Sequence, residues 1–169
     1  MDNNLIVYLE RLELLAFFGG YPFIYALVLA FRPKHSRRGT FAERLFRQLP
    51  LAYALTGLLF LGYLLKNLYP DYSISNITLQ LSWLKIWGLL SLLFWLKPFN
   101  QKTIFSLLHS FVFFFFLLQD FFMYLFSRKS ADVITNDMRV YFDSILLNSG
   151  TLLVISIIYF FLKKFRKTV

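Results

Sequence analysis

Five apolar stretches, at 14–31, 50–66, 79–96, 103–126 and 142–162, divide this chain, and the segments between them alternate in charge. The segments that would share one side carry Arg32, Lys34, Arg37, Arg38, Arg44 and Arg47, then Lys97 and Lys102, then Lys163, Lys164, Arg166 and Lys167. That is 12 of the 18 Lys and Arg, against a single acid, Glu43. The other side takes the remaining six bases and eight acids. Sorting of this kind is what membrane insertion imposes, because short cytoplasmic loops hold Lys and Arg in excess. The pattern predicts an all-α polytopic membrane protein, a bundle of five transmembrane helices with short interfacial helices. Its N-terminus would lie outside and its C-terminus in the cytoplasm, in a plasma or inner membrane.

Length allows little else. At 169 residues, 58% hydrophobic and with a mean hydropathy of +0.58, the chain has room for one membrane domain and no sizeable soluble one. Its net charge of +9 would suggest nucleic acid in a soluble protein. Here the charge falls mostly on one side, so topology and anionic lipid explain it and no nucleic-acid partner is expected. The chain has no cysteine, which excludes disulfides, thiol redox chemistry and iron–sulfur ligation. Its two histidines, His35 in a basic loop and His109 in a span, do not make a haem site. No cofactor and no metal is expected. Met1-Asp2-Asn3-Asn4 does not read as a signal peptide, and no lipidation motif is present.

Leu5, Leu9, Leu12 and Ala16 recur at helical spacing around Glu10, Arg11 and Glu13. Residues 4–13 therefore read as an amphipathic helix on the outer surface, leading into the first span. Gly19, Gly20 and Pro22 predict a kink near Gly19. Thr40-Phe41-Ala42-Glu43 fits a capping box. The helix it starts, 41–49, would lie in the cytoplasmic interface with Arg44 and Arg47 among anionic headgroups, and Pro50 would open the second span. Trp83 and Trp95 would mark the two ends of the third span. A short polar loop is expected at 67–78 and a loop of mixed charge at 127–140. No internal repeat is visible, and the apolar runs lack the alternation of a membrane β-barrel.

Ionisable groups inside a bundle are costly, so each is informative. Glu13, Lys66, Lys85, Asp120 and Asp143 all map to the outer half, with Gln119 and Asn148 at similar depth. Opposite sign and similar depth suggest pairing Lys85 with Asp120 and Lys66 with Asp143. His109, Phe113, Phe116, Asp120 and Tyr124 would share one face, with His109 and Asp120 roughly 16 Å apart along the axis and out of contact. Lys85, Gly88 and Leu92 would share another face, and Ser144, Asn148 and Thr151 would form a polar stripe. Together these define a candidate ligand-binding cluster: Lys85, Asp120, Asp143, Asn148, Lys66, Glu13 and His109. The same residues serve equally as assembly contacts. His109 would be a proton relay, or more simply bond a backbone group or hydroxyl near Ser106 and Ser110.

Catalysis is poorly supported. No Ser/His/Asp set shares one depth, and the Gly-x-Ser-x-Gly and His-Glu-x-x-His motifs and a phosphate-cradling Gly-rich loop are missing. Asn76-Ile77-Thr78 matches a glycosylation acceptor in a short loop, and Arg166-Lys167 a basic stop at the cytoplasmic face. The leading expectation is an accessory or assembly subunit acting through helix–helix contacts. A small transporter or channel-like protein comes second, and a lipid-acting enzyme built on His109 and Asp120 third. The partners implied are the bilayer, with anionic lipids at the cytoplasmic face, and other membrane subunits or a second copy.

Overall fold

A computed structural model describes residues 3–31, 40–127 and 131–165. Among these residues the structure is almost entirely helical, with short turns between helices and no strand. Helix α1 (Asn3–Leu14), a π-helical turn (Leu15–Gly19) and α2 (Tyr21–Ala30) follow one another as the first long helix. After it come α3 (Phe41–Leu68), α4 (Ile74–Gln80), α5 (Trp83–Leu89), a 3-10 stretch (Leu90–Trp95) and α6 (Lys97–Asn100). The last two are α7 (Thr103–Ser127) and α8 (Ala131–Phe165).

Four helices are long and apolar enough to cross a membrane, not five: Ile6–Ala30, Phe41–Leu68, Thr103–Phe126 and Ile134–Phe165. The third expected span, 79–96, is not one helix. Residues 79 and 80 belong to α4, and Ser82 then caps a new helix by accepting a hydrogen bond from the Lys85 N–H at 3.2 Å. Seven residues of α-helix and six of 3-10 helix follow. They rise roughly 22 Å, short of the roughly 30 Å of a bilayer's hydrocarbon core.

Both expected interfacial helices are also corrected. Residues 4–13 form no separate surface helix but run unbroken into the first long one, because no Gly or Pro intervenes before Gly19. Residues 41–49 are likewise the first turns of α3, which continues through Pro50. Proline removes one donor there, a loss that long apolar helices tolerate. The cap itself is as expected: the Thr40 hydroxyl accepts from the Glu43 N–H at 3.4 Å. The expected loop 127–140 is mostly helix, since α8 begins at Ala131 and meets no glycine until Gly150.

Pairs of side chains give the helix directions. Tyr25, in the middle of α2, meets Phe46, early in α3, with ring centroids 5.5 Å apart, and Thr103, the first residue of α7, at 3.4 Å. Phe18 meets Phe60 at 5.3 Å and Phe113 at 4.8 Å. α3 and α7 thus run in the same direction, opposite to the first helix. α8 runs with the first helix: Asp137 meets Tyr8, Asn148 meets Phe17, and Ser156 meets Gln48.

Two parallel neighbours cannot be joined by a tight turn. The chain between α3 and α7 must return from one end of the bundle to the other, and Trp83–Trp95 carries it back. Along this segment Lys85 meets Glu13, Gly88 lies against Phe18 and Phe60, Ser91 against Gly57, and Phe94 against Tyr53. Gly88, Ser91 and Phe94 are buried at intervals of three, the repeat of a 3-10 helix. Leu92, placed on this face by α-helical spacing, is only half-buried for that reason.

The core is aromatic. Phe18, Tyr21, Tyr53, Phe60 and Phe113 are almost fully buried and stack in edge and offset arrangements between the first helix, α3 and α7. Gly20 and Gly57 bring helices close around them. A β-carbon on Gly20 would fall on the backbone of Ser144 and Ile145 in α8, and one on Gly57 would strike the Ser91 hydroxyl.

Candidate functional site

The π-helical turn explains why α8 carries a polar stripe. Pro22 has no N–H, and the widened turn before it disturbs the regular ladder, so backbone groups around Phe17–Gly20 need other partners. α8 supplies them. The Gly20 N–H donates to Ser144 Oγ at 2.8 Å, and Asn148 Nδ2 donates to the Phe17 carbonyl at 2.8 Å. Asn148 also donates to the Ser144 carbonyl at 2.8 Å, while its Oδ1 accepts from the Thr56 hydroxyl of α3 at 3.2 Å. Thr151 lies 3.3 Å from the same Thr56 hydroxyl. The expected stripe Ser144, Asn148 and Thr151 is therefore present and fully buried, and it ties three helices.

A second group lies toward the end of the bundle that holds α1. Glu13 accepts from the Tyr63 hydroxyl at 3.0 Å through Oε1, and Lys85 Nζ sits 3.5 Å from its Oε2. The partner of Lys85 is thus Glu13, not Asp120. Depth along the helices could not choose between these acids, because it does not say which way each helix is turned. Asp120 is buried on α7 and acts electrostatically on Tyr8, beside Asp137 of α8. Tyr8 donates to Asp137 Oδ1 at 3.0 Å and accepts from Asn136 at 3.1 Å. Arg11 lies over the Phe116 ring, 5.3 Å from its centroid. The proposed Lys66–Asp143 pair is absent: both side chains are exposed and no ion pair joins them among the described residues. Gln119 is exposed as well.

His109 lies nearer the opposite end, away from Asp120. Its Nδ1 is 2.7 Å from the Tyr53 hydroxyl, and Trp87 stacks on its ring at 4.8 Å with planes 6° apart. The Trp87 indole N–H donates to the His109 carbonyl at 3.4 Å, and Phe94 and Phe113 complete the enclosure. His109 Nε2 is buried without a hydrogen-bond partner among the described residues. The serines expected beside it bond elsewhere: Ser106 to Tyr21 and the Thr103 carbonyl, Ser110 to the Leu107 carbonyl. Tyr53 was not foreseen, since its hydroxyl gives no signal until α3 and α7 are laid side by side.

The seven candidate residues therefore do not converge. Glu13 and Lys85 meet, Asn148 belongs to the α8 stripe, His109 sits in an aromatic cage, and Lys66 and Asp143 are on the surface. No group of three His, Asp or Glu that could hold a metal exists among the described residues.

Cavities lie elsewhere. An apolar groove of about 730 Å³ runs between α2, the start of α3 and α8, with Ile24, Val28, Leu45 and Leu152 in its walls. Two smaller pockets, of about 360 and 340 Å³, lie around Arg47 and Asn100, with basic residues among those lining each. None of these three touches Glu13, Lys85, Asp120 or His109. Comparison of the chain with protein-family models, curated proteins and solved structures finds no match.

Proposed function

We propose that the chain is a small multi-pass integral membrane protein that acts as an accessory or assembly subunit, through helix–helix contacts rather than chemistry. The observation that carries this reading is the engagement of its interior polar groups. Asn148, Ser144, Thr56, Glu13, Lys85 and Tyr63 each bond a different helix of the same chain, as polar residues do when they hold membrane helices together. The bundle leaves α8 largely uncovered beyond Asn148, with Leu153, Ile157, Ile158 and Phe161 all exposed. That face is the natural contact for another membrane subunit or a second copy, with lipid around it. The end bearing Arg44, Arg47, Lys97 and Lys163 faces the cytoplasm of a plasma or inner membrane, with anionic lipid beside it.

Photo-crosslinking in the native membrane tests the reading. A photoreactive phenylalanine analogue at Ile157 or Leu153 should yield an adduct of one discrete protein mass. The same group at Phe111 or Phe115, exposed on α7, should yield none of that mass. Equal, lipid-only products from both faces would contradict the proposal.

One observation favours the transporter reading. Glu10 Oε1 and Arg11 Nε are buried without hydrogen-bond partners among the described residues, as groups on a proton or ion path would be. Ion or proton flux into liposomes that is lost in Glu10→Gln would support it. The lipid-enzyme reading has no such support, because His109 and Asp120 stand in separate groups.

A further inference from the structure

The two smaller pockets at the basic end adjoin, sharing Arg47 and Asn100. The first is lined by Arg44, Arg47 and Lys163 with Tyr159, the second by Arg47 and Lys97 with Thr103. Neither has an acid in its lining. The acid in contact with this set is Glu43, whose Oε1 is 3.8 Å from Arg47 Nε, at the long end for an ion pair. Lys97 and Lys163 are exposed and have no acidic partner among the described residues. The neighbouring stretches of sequence, 32–39 and 166–169, add six bases and no acid.

Cations alone would mark only a charged surface. Here they are joined by residues that carry neutral donors: Asn100 lines both recesses, with Tyr159 in one and Thr103 in the other. Arginine, lysine and hydroxyl donors around a recess suit the oxygens of a phosphate, and arginine suits them in two-point fashion. Two such recesses with a common arginine suit two phosphates on a short linker. We propose that this end of the bundle is a binding site for a bisphosphate ligand, one phosphate in each pocket and Arg47 between them. The exposed apolar surface beside the first pocket, Phe160 and Leu162 on α8, would accept acyl chains, so a two-phosphate lipid headgroup is the favoured source over a soluble bisphosphate.

The test uses the full chain in neutral detergent, with cardiolipin, phosphatidylglycerol and inorganic pyrophosphate as probes and binding read by native mass spectrometry. Cardiolipin should bind more tightly than phosphatidylglycerol at equal phosphate. Lys97→Gln and Lys163→Gln, both exposed and outside the core, should each weaken cardiolipin on the order of fivefold while leaving phosphatidylglycerol less affected. Arg47→Gln should abolish the preference, and Lys66→Gln, at the other end of α3, should leave it unchanged. Pyrophosphate that displaces cardiolipin and binds as tightly would make the soluble ligand the source. Pyrophosphate that fails while cardiolipin binds would make it the lipid. Equal binding of cardiolipin and phosphatidylglycerol without pyrophosphate binding, or a preference that survives in the folded Lys97→Gln/Lys163→Gln double variant, would overturn the proposal.

Discussion

Gly20→Ala is expected to destabilise this protein more than any other single methyl group added to it. Gly20 has ordinary right-handed helical angles, φ −77° and ψ −17°, so conformational freedom is not the issue. Space is. The new Cβ would overlap the Ser144 carbonyl carbon and the Ile145 backbone nitrogen, and backbone cannot turn aside as a side chain can. α8 would have to move away from the π-helical turn. That movement stretches both the Gly20 N–H bond to Ser144 and the Asn148 bond to the Phe17 carbonyl, each 2.8 Å. Overpacking costs about 1–3 kcal/mol and each interhelical bond adds roughly 0.6–2 kcal/mol, so a loss of about 3 kcal/mol is expected. For a chain of this size that is a fall of roughly 10 °C in the thermal midpoint. Gly62→Ala and Gly150→Ala provide the comparison, because nothing lies within 4 Å of either new Cβ. Both should be neutral or gain up to about 1 kcal/mol from helix propensity. A Gly20→Ala midpoint equal to that of Gly150→Ala would mean that α8 does not pack here.

The second large effect is expected from Lys85→Met. Lys85 pairs with Glu13 and also acts electrostatically on Glu10, so its removal leaves two acids near one another in a largely buried place. The side chains of Lys85 and Glu13 are 17% and 29% exposed, which sets the cost below that of breaking a fully buried pair, at about 2 kcal/mol. Glu13→Gln should cost less, because a glutamine still accepts from Tyr63 and Lys85 can extend toward water. The double variant should recover about 1 kcal/mol of the summed loss, since neither charge is then left alone. The same cycle between Lys85 and Asp120 should be additive to within about 0.5 kcal/mol. Coupling with Asp120 and none with Glu13, read from midpoints in detergent, would require α1, α5 and α7 to be arranged differently.

These two sites show what a sequence of this kind reveals and what it withholds. Periodicity placed Ser144, Asn148 and Thr151 on one buried face, and the Thr40 cap was legible from four residues. Both are local: a helix's own spacing decides them. Partners across helices are not local. Heights along the bundle put Lys85 level with several acids, and only the rotation of each helix selects Glu13. The third apolar stretch misled for a different reason. A hydropathy window sees 79–96 as continuous, whereas Ser82 restarts the helix and the tight turns at Leu90–Trp95 leave it short. The structure buries Gly88, Ser91 and Phe94 at a spacing of three, where α-helical spacing points to Lys85, Gly88 and Leu92. The mixed charges at 127–140 suggest a loop, but from Ala131 onward no proline or glycine interrupts the chain before Gly150, and α8 runs through them.

Everything proposed about orientation depends on the short Trp83–Trp95 segment carrying the chain from the acid-bearing end of the bundle to the basic one. Because the chain has no cysteine, single cysteines report cleanly. Ser73→Cys and Gln101→Cys lie in exposed positions on either side of that segment. In sealed vesicles of known orientation, a membrane-impermeant maleimide should label Ser73→Cys only from the outer face and Gln101→Cys only from the cytoplasmic face. Labelling of both from the same face would contradict the account, for it would leave α3 and α7 unable to run side by side in one direction.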